Sequence, residues 1–274
     1  MNPTSGTFQA QDGARLHWQR WESARTPRAT VCLLHGLGEH VGRYDHVGRA
    51  FTDAGLTLVG ADLRGHGRTP GPRGHVPSYA RLLDDLDLLI SQAERAQPLF
   101  LYGHSMGGNI VLQYGLTRGG LVRGVIATGP WLRLRFPTPP LQQWMARLMP
   151  YILPGLTVAS GLKVDGLSRD PAVVRAYVQD PLVHDRVSAM LGSSMLKAGK
   201  DALARASDFR LPVLLMHGAD DPLTDPAATE AFYQAAASPD KTFRLWTGLR
   251  HEIHNEPEQA DVLKVMVDWL VARV

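Results

Sequence analysis

The sequence predicts an α/β fold: a mostly parallel sheet with helices on both faces and an inserted helical cap. Three observations carry this. Short apolar runs of the kind buried inside a sheet alternate with helix-like stretches from residue 29 onward. The alternation stops between residues 131 and 205. One run turns through Gly103-His104-Ser105-Met106-Gly107 into a helix-forming segment.

In chain order, Asp12-Gly13 between TFQA and RLHWQRW predicts an opening antiparallel hairpin. Buried strands are then expected at 29–34, 57–62, 99–104, 122–127, 212–217 and 241–246, and helices at 43–54, 78–96, 107–117, 226–237 and 258–272. The core is assigned to 1–130 and 206–274. The cap, 131–205, holds several prolines and no strand pattern. Within it Leu141, Trp144, Met145, Leu148, Met149 and Ile152 recur at helical spacing, an apolar stripe suited to packing on the core.

Composition narrows the function classes. At 274 residues, 44% hydrophobic and 20% charged, the chain is neither disordered, collagenous nor a coiled coil. Its apolar runs stop far short of the roughly 20 residues a bilayer span needs. The first residues carry no basic n-region and no apolar h-region, so a cytoplasmic location is expected. Cys32 lies in an apolar strand and reads as an inert core thiol, with no disulfide or zinc knuckle. A net charge of +3 is too small for a nucleic-acid partner. The cap holds ten Arg and Lys against five Asp, +5, which leaves 19 against 21, or −2, elsewhere. Nothing in these patterns bears on oligomeric state.

Ligands of such sheets sit beyond the carboxyl ends of the strands. Gly103-x-Ser105-x-Gly107 at a strand-to-helix corner has the context of a nucleophile elbow, where glycines let neighbouring backbone pass close to a strained serine. A serine hydroxyl needs a base within reach and a carboxylate to orient that base. His251 follows the expected strand TFRLW, and Asp220, Asp221 and Asp225 follow PVLLMHG. Asp225 precedes a proline at an expected helix start, where capping is its natural role, and Asp221 is the preferred acid. The order Ser, Asp, His is that of the α/β-hydrolases. His251-Glu252-Ile253-His254 lacks the HExxH spacing of a zinc site, so no metal is expected. His35-Gly36-Leu37-Gly38 ends the first parallel strand and turns backbone donors inward. The N–H groups of Leu37 and Met106 are the expected oxyanion hole.

The strings HGLGEHVGRY, ADLRGHGRT, GHSMGG, LSRDPAVVRAYVQDPLVHD, HGADDPLTDP and GLRHEIHNE resemble, in this order and over nearly the whole chain, the monoacylglycerol lipase and lysophospholipase-like branch of the α/β-hydrolases. GHSMGG marks only the superfamily, whereas HGxGEHxGRY with the DPLV segment is more selective. The resemblance implies Ser105 as nucleophile, His251 as base and Asp221 as its orienting acid. It also implies a small polar pocket for a glycerol head group at Glu39, Arg43 and His254. Read from the residues alone, Glu39 and Arg43 form a local surface ion pair. Asp62 and Arg64-Gly65-His66-Gly67 read as structural, shaping the loop beneath the site.

The expected function is therefore a serine ester hydrolase, acting without cofactor on monoacylglycerols or similar single-chain lipid esters. Trp131, Leu132, Leu134, Phe136, Trp144 and their apolar neighbours in the cap are expected to line an acyl tunnel or lean on a lipid surface, making the enzyme peripheral to a membrane. The alternatives are a lysophospholipase or a general short- or medium-chain carboxylesterase, with an amidase or acyltransferase further off. Outside enzymes, a ligand-binding module could use the same fold.

Overall fold

A computed structural model describes residues 3–92, 97–136 and 148–274. β1 (Thr4–Gln9) and β2 (Arg15–Trp21) pair antiparallel across the Asp12-Gly13 turn. The chain then runs through β3 (Ala29–Leu34), α1 (Asp45–Asp53), β4 (Leu56–Ala61), α2 (Tyr79–Ser91), β5 (Leu99–His104), α3 (Met106–Thr117) and β6 (Gly124–Thr128). After the expected cap it resumes with β9 (Val213–Gly218), α6 (Pro226–Ala235), β10 (Lys241–Trp246) and α7 (Gln259–Val271). The eight strands of the main sheet lie in the order β1-β2-β4-β3-β5-β6-β9-β10, parallel from β4 onward, with β1 and β2 antiparallel at one edge. This is the α/β-hydrolase fold.

The parallel strands β3, β4, β5, β6 and β9 are buried along their whole length, because both sheet faces are covered. On one face Val47 and Phe51 of α1 and Val262, Met266 and Leu270 of α7 pack with Val31, Leu33 and Phe100. On the other, Leu82 and Leu86 of α2, Ile110 of α3 and Phe232 of α6 pack with Cys32, Leu101 and Val125. Cys32 is fully buried, and burial pushes its thiol up to about 12, as suits an inert core residue.

The segment from 131 to 205 departs from the expected all-helical cap. It contains α4 (Pro171–Gln179) and α5 (Ala189–Ala204), but also β7 (Thr157–Ala159) and β8 (Arg186–Ser188), a two-stranded antiparallel ribbon. Three-residue strands with sequences TVA and RVS leave too little alternation to be read from sequence. Nor does the segment stand apart from the core. Leu191 and Met195 of α5, with Trp131 and Leu132, join the same apolar cluster as α2 and α3. In the expected stripe, Leu141, Trp144 and Met145 lie outside the described residues. Leu148 and Ile152 are exposed rather than packed inward. Among the described residues no helix is long and apolar enough to cross a membrane.

Candidate active site

Ser105 occupies the corner between β5 and α3 with φ 53° and ψ −112°, the one positive-φ non-glycine among the described residues. A side chain held there is strained by a few kcal/mol at most, and the surrounding backbone has to impose it. It does so by close approach. A Cβ on Gly107 would lie 2.0 Å from the carbonyl oxygen of Leu34, and one on Gly103 would lie 2.2 Å from that of Gly107. The Ser105 N–H donates to Thr128 O at 2.9 Å, and its carbonyl accepts from Trp131 N and Asn109 N at 2.9 and 3.1 Å. Because the atoms facing Gly107 are backbone and cannot rotate away, Gly107→Ala is expected to destabilise the fold by about 4 kcal/mol or more. Urea unfolding beside the parent protein measures this, and a cost below about 1 kcal/mol would contradict it.

Asp221 and His251 meet by their side chains, and His251 lines the same cavity as Ser105. His251 Nδ1 lies 2.7 Å from Asp221 Oδ2. A carboxylate only accepts, so Nδ1 carries the proton and Nε2 is left as a lone-pair acceptor. Asp221, fully buried, receives four further donors. Leu223 N and Thr224 N reach Oδ1 at 2.7 and 3.1 Å, and His217 Nε2 and the Thr224 hydroxyl reach Oδ2 at 2.9 and 2.8 Å. Burial alone raises a carboxyl pKa, but His251 and His217 outweigh it and hold Asp221 far below the ordinary carboxylate range. For His251 the balance is also set by its partners. Burial lowers its pKa, and Asp221, then Glu252 and Glu39, more than reverse this and raise it. The other two acids separate cleanly: Asp220 is exposed, and Asp225 caps α6 by accepting from Ala227 N at 2.9 Å.

Ser105 and His251 line one cavity of about 180 Å³, walled by Leu37, Trp131, Leu134, Phe136 and Leu223 among others. Leu37, Ser160 and Leu162 also line a second cavity of about 290 Å³, together with Tyr177, Asp180 and His184. Leu37 follows Gly36, whose expected Cβ position is 3.3 Å from that of Ser105, so this loop runs directly beside the serine. Among the described residues neither Leu37 N nor Met106 N donates to a backbone carbonyl outside the helices and strands, and Met106 is the first residue of α3. Both amides are thus available to an oxyanion, with the positive end of the helix behind one of them.

Arg135, Gly166, Leu167 and His184 hold these loops by hydrogen bonds. His184 N donates to Gly38 O at 2.9 Å, and Glu252 N and His251 N donate to Leu167 O and Gly166 O at 2.8 and 3.3 Å. Arg135 pairs by its backbone with Leu223 and reaches Asp221 O at 2.6 Å through its guanidinium.

The reading of Glu39 and Arg43 as a surface ion pair needs a correction. Glu39 and Arg43 do form an ion pair, at 2.7 Å, but a buried one: Glu39 is 2% exposed, and Arg43 is shared with the buried Glu252 through two further bonds of 2.7 Å. None of Glu39, Arg43 and His254 lines either cavity described above. Tertiary closure brings Glu252, more than 200 residues away in sequence, onto Arg43 and turns a surface pair into an interior network. His254 differs from the other two. It is fully buried, stacked 5.0 Å from the Tyr44 ring, and both of its ring nitrogens lack a partner among the described residues. Burial lowers its pKa to about 3, so it stays a neutral ring.

The loop at Asp62 is structural, as read. Its carboxylate accepts from Val41 N and Arg68 N, each at 2.8 Å. Arg64 bridges Asp12 and Asp85. His217, Thr224 and Glu252 are the site residues that sequence reasoning missed. A signal for His217 existed, since β9 ends in His217-Gly218 much as β3 runs on into His35-Gly36, each beside a candidate site loop.

Comparison with known proteins agrees with this fold. The family model described as serine aminopeptidase, S33, matches residues 25–258. The chain belongs to this family of serine hydrolases. Among its relatives, a monoacylglycerol lipase of Mycolicibacterium smegmatis is 34% identical over 98% of this chain and 97% of its own length. An uncharacterised abhydrolase domain-containing protein of Dictyostelium discoideum is 35% identical over the full chain, which spans 30% of that protein. The crystal structure of Paleococcus ferrophilus monoacylglycerol lipase superposes with a TM-score of 0.87 at 34% identity, covering 100% of both chains.

Proposed function

We propose that this chain hydrolyses monoacylglycerols and similar single-chain lipid esters through an acyl-enzyme on Ser105. The observation that carries the reading is the strained Ser105 sharing one cavity with His251, whose ring is fixed by the buried Asp221. Names of full-length relatives support the ester class.

In this mechanism His251 Nε2 takes the Ser105 proton as Oγ adds to the ester carbonyl, and the N–H groups of Leu37 and Met106 meet the charge on the tetrahedral oxygen. Asp221 stabilises the imidazolium that forms. The proton then passes from His251 to the departing alcohol. Water, activated by the same ring, clears the acyl group and restores the serine. No cofactor enters these steps.

The apolar walls of the Ser105 cavity suit an acyl chain, whose burial is favourable by about 0.8 kcal/mol per CH₂. A head-group role for His254, whose two ring nitrogens have no partner among the described residues, runs through a bridging water, because the ring itself is buried and lines neither cavity. Tyr151, Ile152, Leu153 and Val158 are each more than half exposed, and in this reading they face a lipid surface around the entrance. The enzyme is then a cytoplasmic one working at the edge of membranes.

The engagement of Glu39 and Arg43 within the interior network favours one second reading, a carboxylesterase with little head-group selectivity. A series of monoacylglycerols from C4 to C18 beside diacyl, triacyl and lysophospholipid esters separates the two. A maximum on monoacylglycerols is expected. Turnover confined to short generic esters would replace the first reading with the second.

The reaction needs neutral His251, and its pKa is raised above the ordinary 6.5. Activity is therefore lost as pH falls through that raised value, while Asp221 stays ionised. The acid limb of the kcat/KM profile is expected above pH 6.5. A limb well below this would show that the fields of Asp221 and Glu252 do not reach the ring as described.

A further inference from the structure

We propose that Glu39, Arg43 and Glu252 form a positioning clamp that ties the oxyanion loop to the loop carrying His251. The inference rests on the proposed serine mechanism and gives these residues a role in it without contact to substrate.

The path is continuous. Gly36 N, one residue before the Leu37 donor, bonds Glu39 Oε1 at 2.6 Å, and the Tyr44 hydroxyl donates to the same oxygen at 2.9 Å. Arg43 bonds Glu39 Oε2 through one nitrogen at 2.7 Å. With that nitrogen and its neighbour it also forks onto both oxygens of Glu252, each at 2.7 Å. Glu252 directly follows His251 in the chain. Its carboxylate also receives Asn255 Nδ2 at 2.8 Å, and its backbone N–H is held by Leu167 O. The Tyr177 ring lies 4.7 Å over the Arg43 guanidinium and shields the joint.

Such a joint is a poor source of stability and a good source of geometry. Two carboxylates and a guanidinium lose hydration on burial, and their attraction does little more than restore it. A planar fork, however, fixes both distance and angle between the groups it joins. The site needs that, because the oxyanion donors and the base act on one tetrahedral centre, and an ångström of misplacement costs about 100-fold in rate. A head-group role fits less well. Both oxygens of Glu39 already accept bonds, and Arg43 is turned onto carboxylates on two sides.

The clamp also acts on His251 through charge. The ring faces Asp221 from the loop after β9, His104 from β5, Glu252 and His254 from its own loop, and the Glu39–Arg43 pair from the oxyanion loop. Removing the Glu252 charge takes away one of the anions that favour the imidazolium.

The test compares Glu252→Gln and Arg43→Lys with the parent enzyme on a monoacylglycerol and on p-nitrophenyl butyrate, which has no glycerol. Thermal melting checks the fold. Glu252→Gln is isosteric, and Arg43→Lys retains the positive charge while losing the fork, so it serves should the first variant not fold. We expect kcat to fall by about 10- to 100-fold on both esters, with KM changed less than about threefold. The acid limb of Glu252→Gln moves to lower pH, whereas that of Arg43→Lys stays in place. A rise in KM confined to the monoacylglycerol, with the butyrate ester turned over as by the parent, would overturn the clamp in favour of head-group contact. Parent-like kcat in the folded variants would also overturn it. Ser105→Ala in the same assay keeps the two proposals apart: if it is inactive while the clamp variants behave as the parent, only the clamp fails.

Discussion

Ser105→Ala lowers kcat by about a millionfold on every ester and leaves the protein folded. The size follows from the role. Without Oγ there is no acyl-enzyme, and His251 has no nucleophile to activate except water that is not placed for attack. What survives is the oxyanion hole and binding, worth about 10³–10⁴ over the solution reaction. Stability changes little, because no described hydrogen bond uses the Ser105 hydroxyl and alanine accepts φ 53° as poorly as serine does. A shift within about 0.5 kcal/mol is expected.

The same argument separates strain from chemistry. Ser105→Gly is equally inactive, yet it is expected to be more stable than the parent by about 1 kcal/mol, since glycine takes positive φ freely. Measuring initial rates and urea unfolding together tests both halves. Turnover of Ser105→Ala within tenfold of the parent would remove the nucleophile from Ser105. A glycine variant no more stable than the alanine variant would remove the strain.

The parts of this site visible in the sequence are those that local backbone geometry dictates. The elbow at Ser105 needs glycines two residues to either side, so its signature is written in five consecutive letters. Asp221 and His251 sit just past strand ends, where the alternation of strands and helices exposes them to reading. Strand positions followed for the same reason, with shifts of one or two residues: β4 covers 56–61 where 57–62 was expected, and β6 starts at Gly124 rather than at Val122, which closes a turn onto Gly119. What the sequence did not disclose depends on closure of the chain. Glu39 and Arg43 read as a surface pair because nothing near them announces Glu252. His217 joins Asp221 by a side-chain bond that no periodicity encodes, although only four residues part them. The β7–β8 ribbon is too short to carry a pattern and exists through contacts with Gly74 and Asp185.

Asp221→Asn shows how much of the triad is a matter of donor and acceptor direction. All five groups around the carboxylate are donors: two backbone amides at Oδ1, and His251, His217 and Thr224 at Oδ2. An asparagine presents one oxygen and one NH₂, so either placement sets donors against donors. If the NH₂ faces Leu223 and Thr224, two buried amides lose their acceptor, at about 1–3 kcal/mol each. If it faces His251, the ring has to shift its proton to Nε2 in order to accept at Nδ1, and Nε2 can then no longer take the Ser105 proton. In both cases the imidazolium loses its counter-charge. kcat is expected to fall about 10⁴-fold with KM little changed. The residual activity should rise at alkaline pH, where hydroxide replaces the missing base. Asp220→Asn, on an exposed side chain, is the control and should retain parent activity. Steady-state kinetics from pH 5 to 10 on the two variants decide the matter. Equal losses would mean that the orienting acid is shared between the two aspartates, whereas loss at Asp221 alone assigns the role to the carboxylate that His217 and Thr224 hold in place.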